Sequence, residues 1–169
     1  MAKQPLHELL SKRKAEQAAA KILDASWDYL LPVQVNTIAD RMGIALVPRK
    51  LDCSSYYLAA DHPKNGIGAP AIVFNTEGSI SWQRLAIAQG IGHHVLGHGS
   101  SFRDGNSQPT ELQQQNENAA EHFATRLLIP DGAVKLLVNQ GCTTTEQLAA
   151  AFGVATMVMG YRLIELGTS

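Results

Sequence analysis

The composition of the chain is that of one folded domain. Its 169 residues are enough to bury a core, and 45% of them are apolar while 17% are charged, which is a globular rather than a disordered balance. The formal net charge of −1 excludes the strongly basic proteins that a global field draws to nucleic acid or anionic membranes. We expect neither a signal peptide nor a membrane span, and hence a cytoplasmic location. Cys53 and Cys142 match no metal or redox spacing and are expected to be reduced thiols.

The N-terminal half predicts two helices followed by a small sheet. Residues 8–27 are rich in Ala, Leu, Lys and Glu, which favour a long helix. Residues 33–42 predict a short helix that ends at Gly43. Short apolar and partly β-branched stretches then predict about three strands, at 44–47, 55–60 and 71–74. Because the segments between these strands are short, we expect an antiparallel sheet.

The middle of the chain predicts two long helices. They span residues 79–96 and 110–128 and flank a polar loop at 100–109. Gly97 follows the first helix and is a typical stop signal, and Thr110 is placed to cap the second.

Shorter helices complete the chain. Asp131 is in position to cap a helix that runs to Val138. Thr143 and Glu146 have capping-box spacing at the start of the next helix, and Gly153 separates that helix from a last one.

The last two helices resemble a helix-turn-helix motif. To read DNA, the second of them would need basic and polar side chains. It offers one basic residue, Arg162, beside apolar residues such as Met157 and Tyr161. We therefore expect a packed helical pair without direct DNA binding.

Residues 84–98, RLAIAQGIGHHVLGH, are similar to the metal-binding helix of a zinc peptidase. Such a helix carries HExxH, in which two histidines at i and i+4 bind zinc and the glutamate is the general base. Here His93 stands at the second histidine, but Gln89 replaces the first and Gly90 replaces the glutamate. A neutral amide is a weak zinc ligand, and glycine cannot accept a proton. The pattern predicts a site that has lost its usual chemistry.

The next long helix offers a further ligand. Glu117 is the candidate third donor, and Glu121 lies one turn later on the same helix face. Glu121 is a candidate for holding a ligand ring in its tautomer.

Several segments in the same order resemble the ImmA/IrrE family of bacterial and phage metallopeptidase-like proteins. The early short helix and the closing helices also agree with that family, so that the resemblance covers roughly residues 30–167. The segments that carry it are IVFN at 72–75, RLAIA at 84–88, GHHVLGH at 92–98, ENAAEHFA at 117–124 and LLIP at 127–130.

The resemblance implies an α+β fold. We expect one domain over residues 1–169, mostly helical and zincin-like, with a small antiparallel sheet and a C-terminal helical pair resembling a helix-turn-helix. Within it, residues 1–30 would form an N-terminal helix, 31–130 the zincin-like core and 131–169 the C-terminal helices.

The resemblance also implies a function. The metal set of the family falls on Gln89, His93 and Glu117, and its general base falls on Gly90. Active relatives cleave or relieve helix-turn-helix repressors in phages, mobile elements and stress responses. We expect a degenerate member without a required cofactor, which acts by binding a protein partner such as a helix-turn-helix regulator. The alternative is a working zinc endopeptidase with an unorthodox ligand set.

The remaining histidines leave alternatives open. His93 and Glu117 form either a polar contact in the core or a residual zinc site. His94 and His98 are also i, i+4 and could form a metal pair, although His98 is expected to face the negative end of its helix. His122 is expected to be structural or at the surface.

Overall fold

The computed structural model of the chain describes residues 6–101 and 108–167. Across these residues, seven helices and one small sheet form an α+β fold, as expected. The elements are α1 (Leu6–Ser26), α2 (Val35–Arg41), β1 (Ala45–Arg49), β2 (Ser55–Leu58), β3 (Ala71–Asn75), α3 (Ile80–Leu96), α4 (Glu111–Leu128), α5 (Asp131–Asn139), α6 (Thr145–Phe152) and α7 (Thr156–Leu166).

The sheet is mixed rather than wholly antiparallel. Its strand order is β1-β3-β2. β2 pairs antiparallel with β3, but β1 pairs parallel with β3, with Ala45 opposite Ala71. The predicted strands are therefore confirmed, and the expected antiparallel pairing of all three is wrong. β3 lies between β1 and β2, so that β1 and β2, although consecutive in sequence, do not pair with each other.

The N-caps of two helices lie one residue away from their predicted positions. Pro130 occupies the N-cap of α5, and Asp131 is its first helical residue rather than its cap. α6 has a capping box, but Thr144 and Gln147 form it instead of Thr143 and Glu146. The Thr110 cap of α4 is confirmed.

α3 and α4 pack closely, and this contact forms the centre of the core. A Cβ atom added at Gly92 of α3 would lie 3.0 Å from the Phe123 ring and 3.1 Å from the Ala120 carbonyl oxygen of α4. Phe123 and Ala120 have no exposed surface. Glycine at this position therefore allows the two helices to approach each other.

The segment after α3 runs along the free edge of β2. The backbone N–H of Tyr57 donates to Ser101 Oγ at 2.7 Å, and the Ser101 N–H donates to the Tyr57 carbonyl at 2.9 Å. The N–H of Ala59 donates to Ser100 Oγ at 2.9 Å. The start of the predicted polar loop is thus fixed against the sheet, while residues 102–107 of that loop lie outside the described residues.

α6 and α7 meet at a bend of 109°. Gly153 makes this turn in the left-handed conformation, with φ of 63°. The angle lies in the range of helix-turn-helix pairs. No single helix of the described part is long and apolar enough to cross a membrane, and α6 and α7 satisfy those criteria only as a bent pair.

Candidate functional site

α3 presents the predicted site residues on its buried side. Ser79 caps the helix by accepting a hydrogen bond from the N–H of Trp82, and Gly97 ends it in the left-handed conformation. Residues 89 and 93 are one turn apart and lie on the same face. His93 is 4% exposed, and Gln89 is half-buried.

His93 lies between two polar partners. Its Nε2 is 3.4 Å from Glu117 Oε2 on α4. Its Nδ1 is 3.2 Å from Nδ1 of His98, and the two rings stand edge to face with centroids 5.3 Å apart. The predicted proximity of His93 and Glu117 is therefore found, and His98 joins them.

The spacing of His93 and Glu117 suits one edge of a zinc tetrahedron. Two donors that each lie about 2.0–2.1 Å from a tetrahedral zinc are about 3.4 Å apart, the separation that Nε2 and Oε2 show. A catalytic zinc needs three protein ligands. His98 cannot be the third in this arrangement, because it faces the opposite ring nitrogen of His93. Among the described residues, no three His, Cys, Asp or Glu side chains are grouped to hold a metal ion. The donors present do not fit a catalytic zinc.

The three side chains can satisfy one another without a metal. With both imidazoles neutral, His93 Nε2–H donates to the Glu117 carboxylate and His98 Nδ1–H donates to His93 Nδ1. Burial, reinforced by the nearby His93 and Lys14 and opposed by Glu117, lowers the pKa of His98 to about 4. A neutral His98 at physiological pH agrees with this chain of hydrogen bonds.

Gly90 does not leave room for a side chain. A Cβ atom at this position would lie 2.5–2.8 Å from three side-chain atoms of Ile72 on β3. Ile72 has no exposed surface and belongs to the main core. Residue 90 therefore carries no side chain that could accept a proton, and an apolar side chain fills the space beside the helix.

Glu121 faces a different part of the molecule. It is exposed and lines a cavity of about 270 Å³ between α1, α4 and α7, together with Lys12 and Tyr161. Its role in supporting a ligand ring stays a prediction, whereas Glu117 is the carboxylate that reaches His93.

The other histidines are engaged elsewhere. Nδ1 of His94 is 2.7 Å from the Tyr57 hydroxyl on β2, and burial lowers the pKa of His94. His94 and His98 thus have separate partners and do not form a pair. His122 lies 3.0 Å from Glu16 on α1 and has the structural role expected of it.

Gly97 is the sequence signal for the position of His98. Gly97 has a φ of 70°, and the His98 N–H donates to the His93 carbonyl at 3.1 Å. This Schellman ending brings the residue after the glycine back to the residue five positions earlier. The position of His98 beside His93 therefore follows from Gly97. No local sequence pattern predicts the contact between Ile72 and Gly90, because that contact depends on how β3 packs under α3.

Comparisons with known proteins agree with this architecture. The family model described as the IrrE N-terminal-like domain matches residues 39–164. A solved structure of a Mycobacterium tuberculosis transcriptional regulator matches with a TM-score of 0.51 and 14% identity. That match covers 92% of this chain and 46% of the regulator, so this chain spans less than half of its length. At this identity the likeness shows the fold alone. No curated protein matches the chain.

The family match includes most of the chain, among it the α3 helix with His93 and the α4 helix with Glu117. It extends from α2 to the last turns of α7. The chain belongs to the ImmA/IrrE metallopeptidase family.

Proposed function

We propose that this chain is a catalytically degenerate member of its family that acts by binding a protein partner, a helix-turn-helix transcriptional repressor or a similar regulator. The observation that carries the proposal is the packing of Gly90 on Ile72. Loss of a general base costs on the order of 10²–10⁴ in rate. Loss of the third zinc ligand at Gln89 also removes the metal-activated water on which such enzymes rely.

The proposed partner is a transcriptional regulator rather than DNA. Arg162, the one basic residue of α7, is 2% exposed and forms ion pairs with Asp131 and Glu165. α7 therefore has no basic side chain with which to contact phosphates or bases. Family membership and the fold likeness to a transcriptional regulator support a role in transcriptional control. Such a partner would be met in the cytoplasm of a bacterium or of a phage-infected cell.

The proposed contact surface is the face of α3 and α4 around the former site. Gln89 is half-buried and the Glu117 side chain is 43% exposed. These side chains remain accessible although His93 is buried. A partner could bind over them without entering a catalytic cleft.

The test is to mix the purified chain with purified helix-turn-helix repressors from its host, in the presence of zinc. We expect a complex in which the repressor keeps its full length, as measured by light scattering and intact mass. Glu117→Gln should weaken this complex, whereas Glu146→Gln, at an exposed position of α6, is the matched control. Repressor cleavage that a chelator or His93→Ala abolishes would contradict the proposal.

One observation favours the alternative, a zinc endopeptidase with an unorthodox ligand set. It is the 3.4 Å separation of His93 Nε2 and Glu117 Oε2, which suits two zinc donors. This alternative requires a third donor and a base, and at the position of the base the backbone of α3 meets Ile72. We therefore keep it as the second candidate.

A further inference from the structure

α7 carries an exposed apolar stripe that the functional site does not use. Met157, Tyr161 and Ile164 have 57%, 65% and 66% of their surfaces exposed. They are spaced at i, i+4 and i+7, so that they share one helix face. On the other side of α7, Met159 and Arg162 are buried. We name the exposed face formed by Met157, Gly160, Tyr161 and Ile164 the α7 stripe.

The glycine in this stripe has no role in packing within the described chain. Inside a helix, glycine costs about 1 kcal/mol of stability relative to alanine. A Cβ atom added at Gly160 would meet no described heavy atom within 4 Å, its immediate helix neighbours aside. At Gly90 and Gly92, by contrast, an added Cβ would collide with the core. Gly160 thus leaves an open position on the surface, where another helix can approach closely.

We propose that two copies of this chain associate through the α7 stripe, with the two α7 helices antiparallel and crossing at Gly160. The stripe is symmetrical about its centre, because Met157 and Ile164 are equally distant in sequence from the point between Gly160 and Tyr161. A two-fold axis at that point places Met157 of each copy opposite Ile164 of the other. The same axis places each Tyr161 over the open position at Gly160 of the other copy.

The charges at the border of the stripe agree with a second copy as the occupant. The stripe has no side chain that is charged at neutral pH. Glu165 beside it accepts a hydrogen bond from Arg126 at 2.7 Å and also lies 3.5 Å from Arg162. Because its charge is compensated within the chain, Glu165 does not oppose the approach of a second copy.

The exposed area of the stripe is small compared with the area that a stable protein–protein interface buries. Its three large side chains expose roughly 400 Å² per copy, if a fully exposed side chain has about 200 Å². A stable complex buries about 800 Å² per partner. We therefore expect a reversible dimer with a dissociation constant in the micromolar range or weaker, about 1 µM to 1 mM.

Sedimentation velocity of the full chain between about 1 µM and 1 mM tests this proposal. We expect dimer to accumulate with concentration. Gly160→Ala should weaken the dimer at least about tenfold by filling the open position, and should raise the thermal unfolding midpoint because alanine favours the helix. Gly132→Ala is the matched control, because Gly132 also lies inside a helix with open space at its Cβ position. That control should leave the dimer unchanged.

A second variant separates the interface from the effect of the glycine. Tyr161→Glu brings two carboxylates to the two-fold axis and should leave the chain monomeric at every concentration. Circular dichroism verifies that each variant is folded. A wild-type chain that stays monomeric throughout the range overturns the proposal, and so does a dimer that neither Gly160→Ala nor Tyr161→Glu weakens.

Discussion

At residue 90 the backbone of α3 lies directly against Ile72 of β3. The close approach depends on glycine, since an added Cβ would lie 2.5 Å from the nearest Ile72 atom. In HExxH this position carries the general base. Glycine at this position therefore offers no proton acceptor, and it allows the helix and the sheet to come into contact.

We expect Gly90→Ala to lower the free energy of unfolding by about 1–3 kcal/mol, because overpacking of the core outweighs the helix preference of alanine. Urea denaturation measures this change. In a background with Ile72→Ala the cost should become smaller, since the colliding side chain is then truncated. Equal costs in the two backgrounds would contradict the contact, and Gly132→Ala is the control for a helix glycine with open space.

The residue scale also shows what the sequence could predict about the site. The proximity of His93 and Glu117 followed from the motif and from the family resemblance. The Gly97 ending predicts the place of His98, which contacts the His93 ring as well as following the helix terminus. The contact with Ile72 could not be predicted, because residue 72 is remote from residue 90 in sequence and reaches it only through the assembled sheet.

At the scale of elements, the ends of the helices are determined by local chemistry. Gly97, Gly153 and Gly167 each end a helix in the left-handed conformation. The start of α6 is ambiguous from sequence, since Thr143 and Thr144 both precede a residue that can complete a capping box. The structure selects Thr144 with Gln147.

We expect Thr144→Ala to cost about 1 kcal/mol of stability, because its hydroxyl accepts a hydrogen bond from the Gln147 N–H at 3.2 Å. Thr143→Ala is the matched control and should cost much less, since the N–H of Thr143, rather than its side chain, contacts Gln147. Thermal unfolding of both variants measures the difference. A larger loss of stability for Thr143→Ala than for Thr144→Ala would show that Thr143 caps the helix instead.

The order of the strands illustrates the limit of local patterns. The apolar stretches predicted each strand, but they carry no information on which strand lies in the middle. β1 and β2 are separated by only residues 50–54, and β3 nevertheless pairs with both. This arrangement follows from packing against α3, with Ile72 of β3 buried beneath the helix.

At the scale of the whole molecule, the histidines make stability depend on pH. Burial lowers the pKa of His94, His98 and His122 in the folded chain. An unfolded histidine titrates at about 6.5. Below that pH the unfolded chain binds more protons than the folded one, so that the free energy of unfolding falls as the pH drops from about 7 to about 4.

His98, with a pKa lowered to about 4, should contribute strongly to this loss. We expect His98→Gln to flatten the decline of stability between about pH 7 and pH 5, as measured by urea denaturation at each pH. A slope that His98→Gln does not change would show that other groups dominate the pH dependence.

The whole chain thus keeps the frame of a metallopeptidase family, and we propose that its site has lost the chemistry of that family. α3 and α4 still bring His93 to Glu117. Gln89 and Gly90 remove a ligand and the base, and His98 completes a chain of hydrogen bonds that needs no metal. If this is correct, one substitution at residue 89 supplies the missing ligand, because zinc binding requires three donors but no general base.

Zinc content by elemental analysis, measured in parallel on the unmodified chain, Gln89→His and Gln89→His with His93→Ala, tests the central claim most directly. We predict little zinc in the unmodified chain, about one zinc per chain in Gln89→His and its loss in the double variant. A folded Gln89→His variant that binds no zinc would contradict the placement of this helix. Stoichiometric zinc in the unmodified chain that His93→Ala removes would contradict the degenerate site itself.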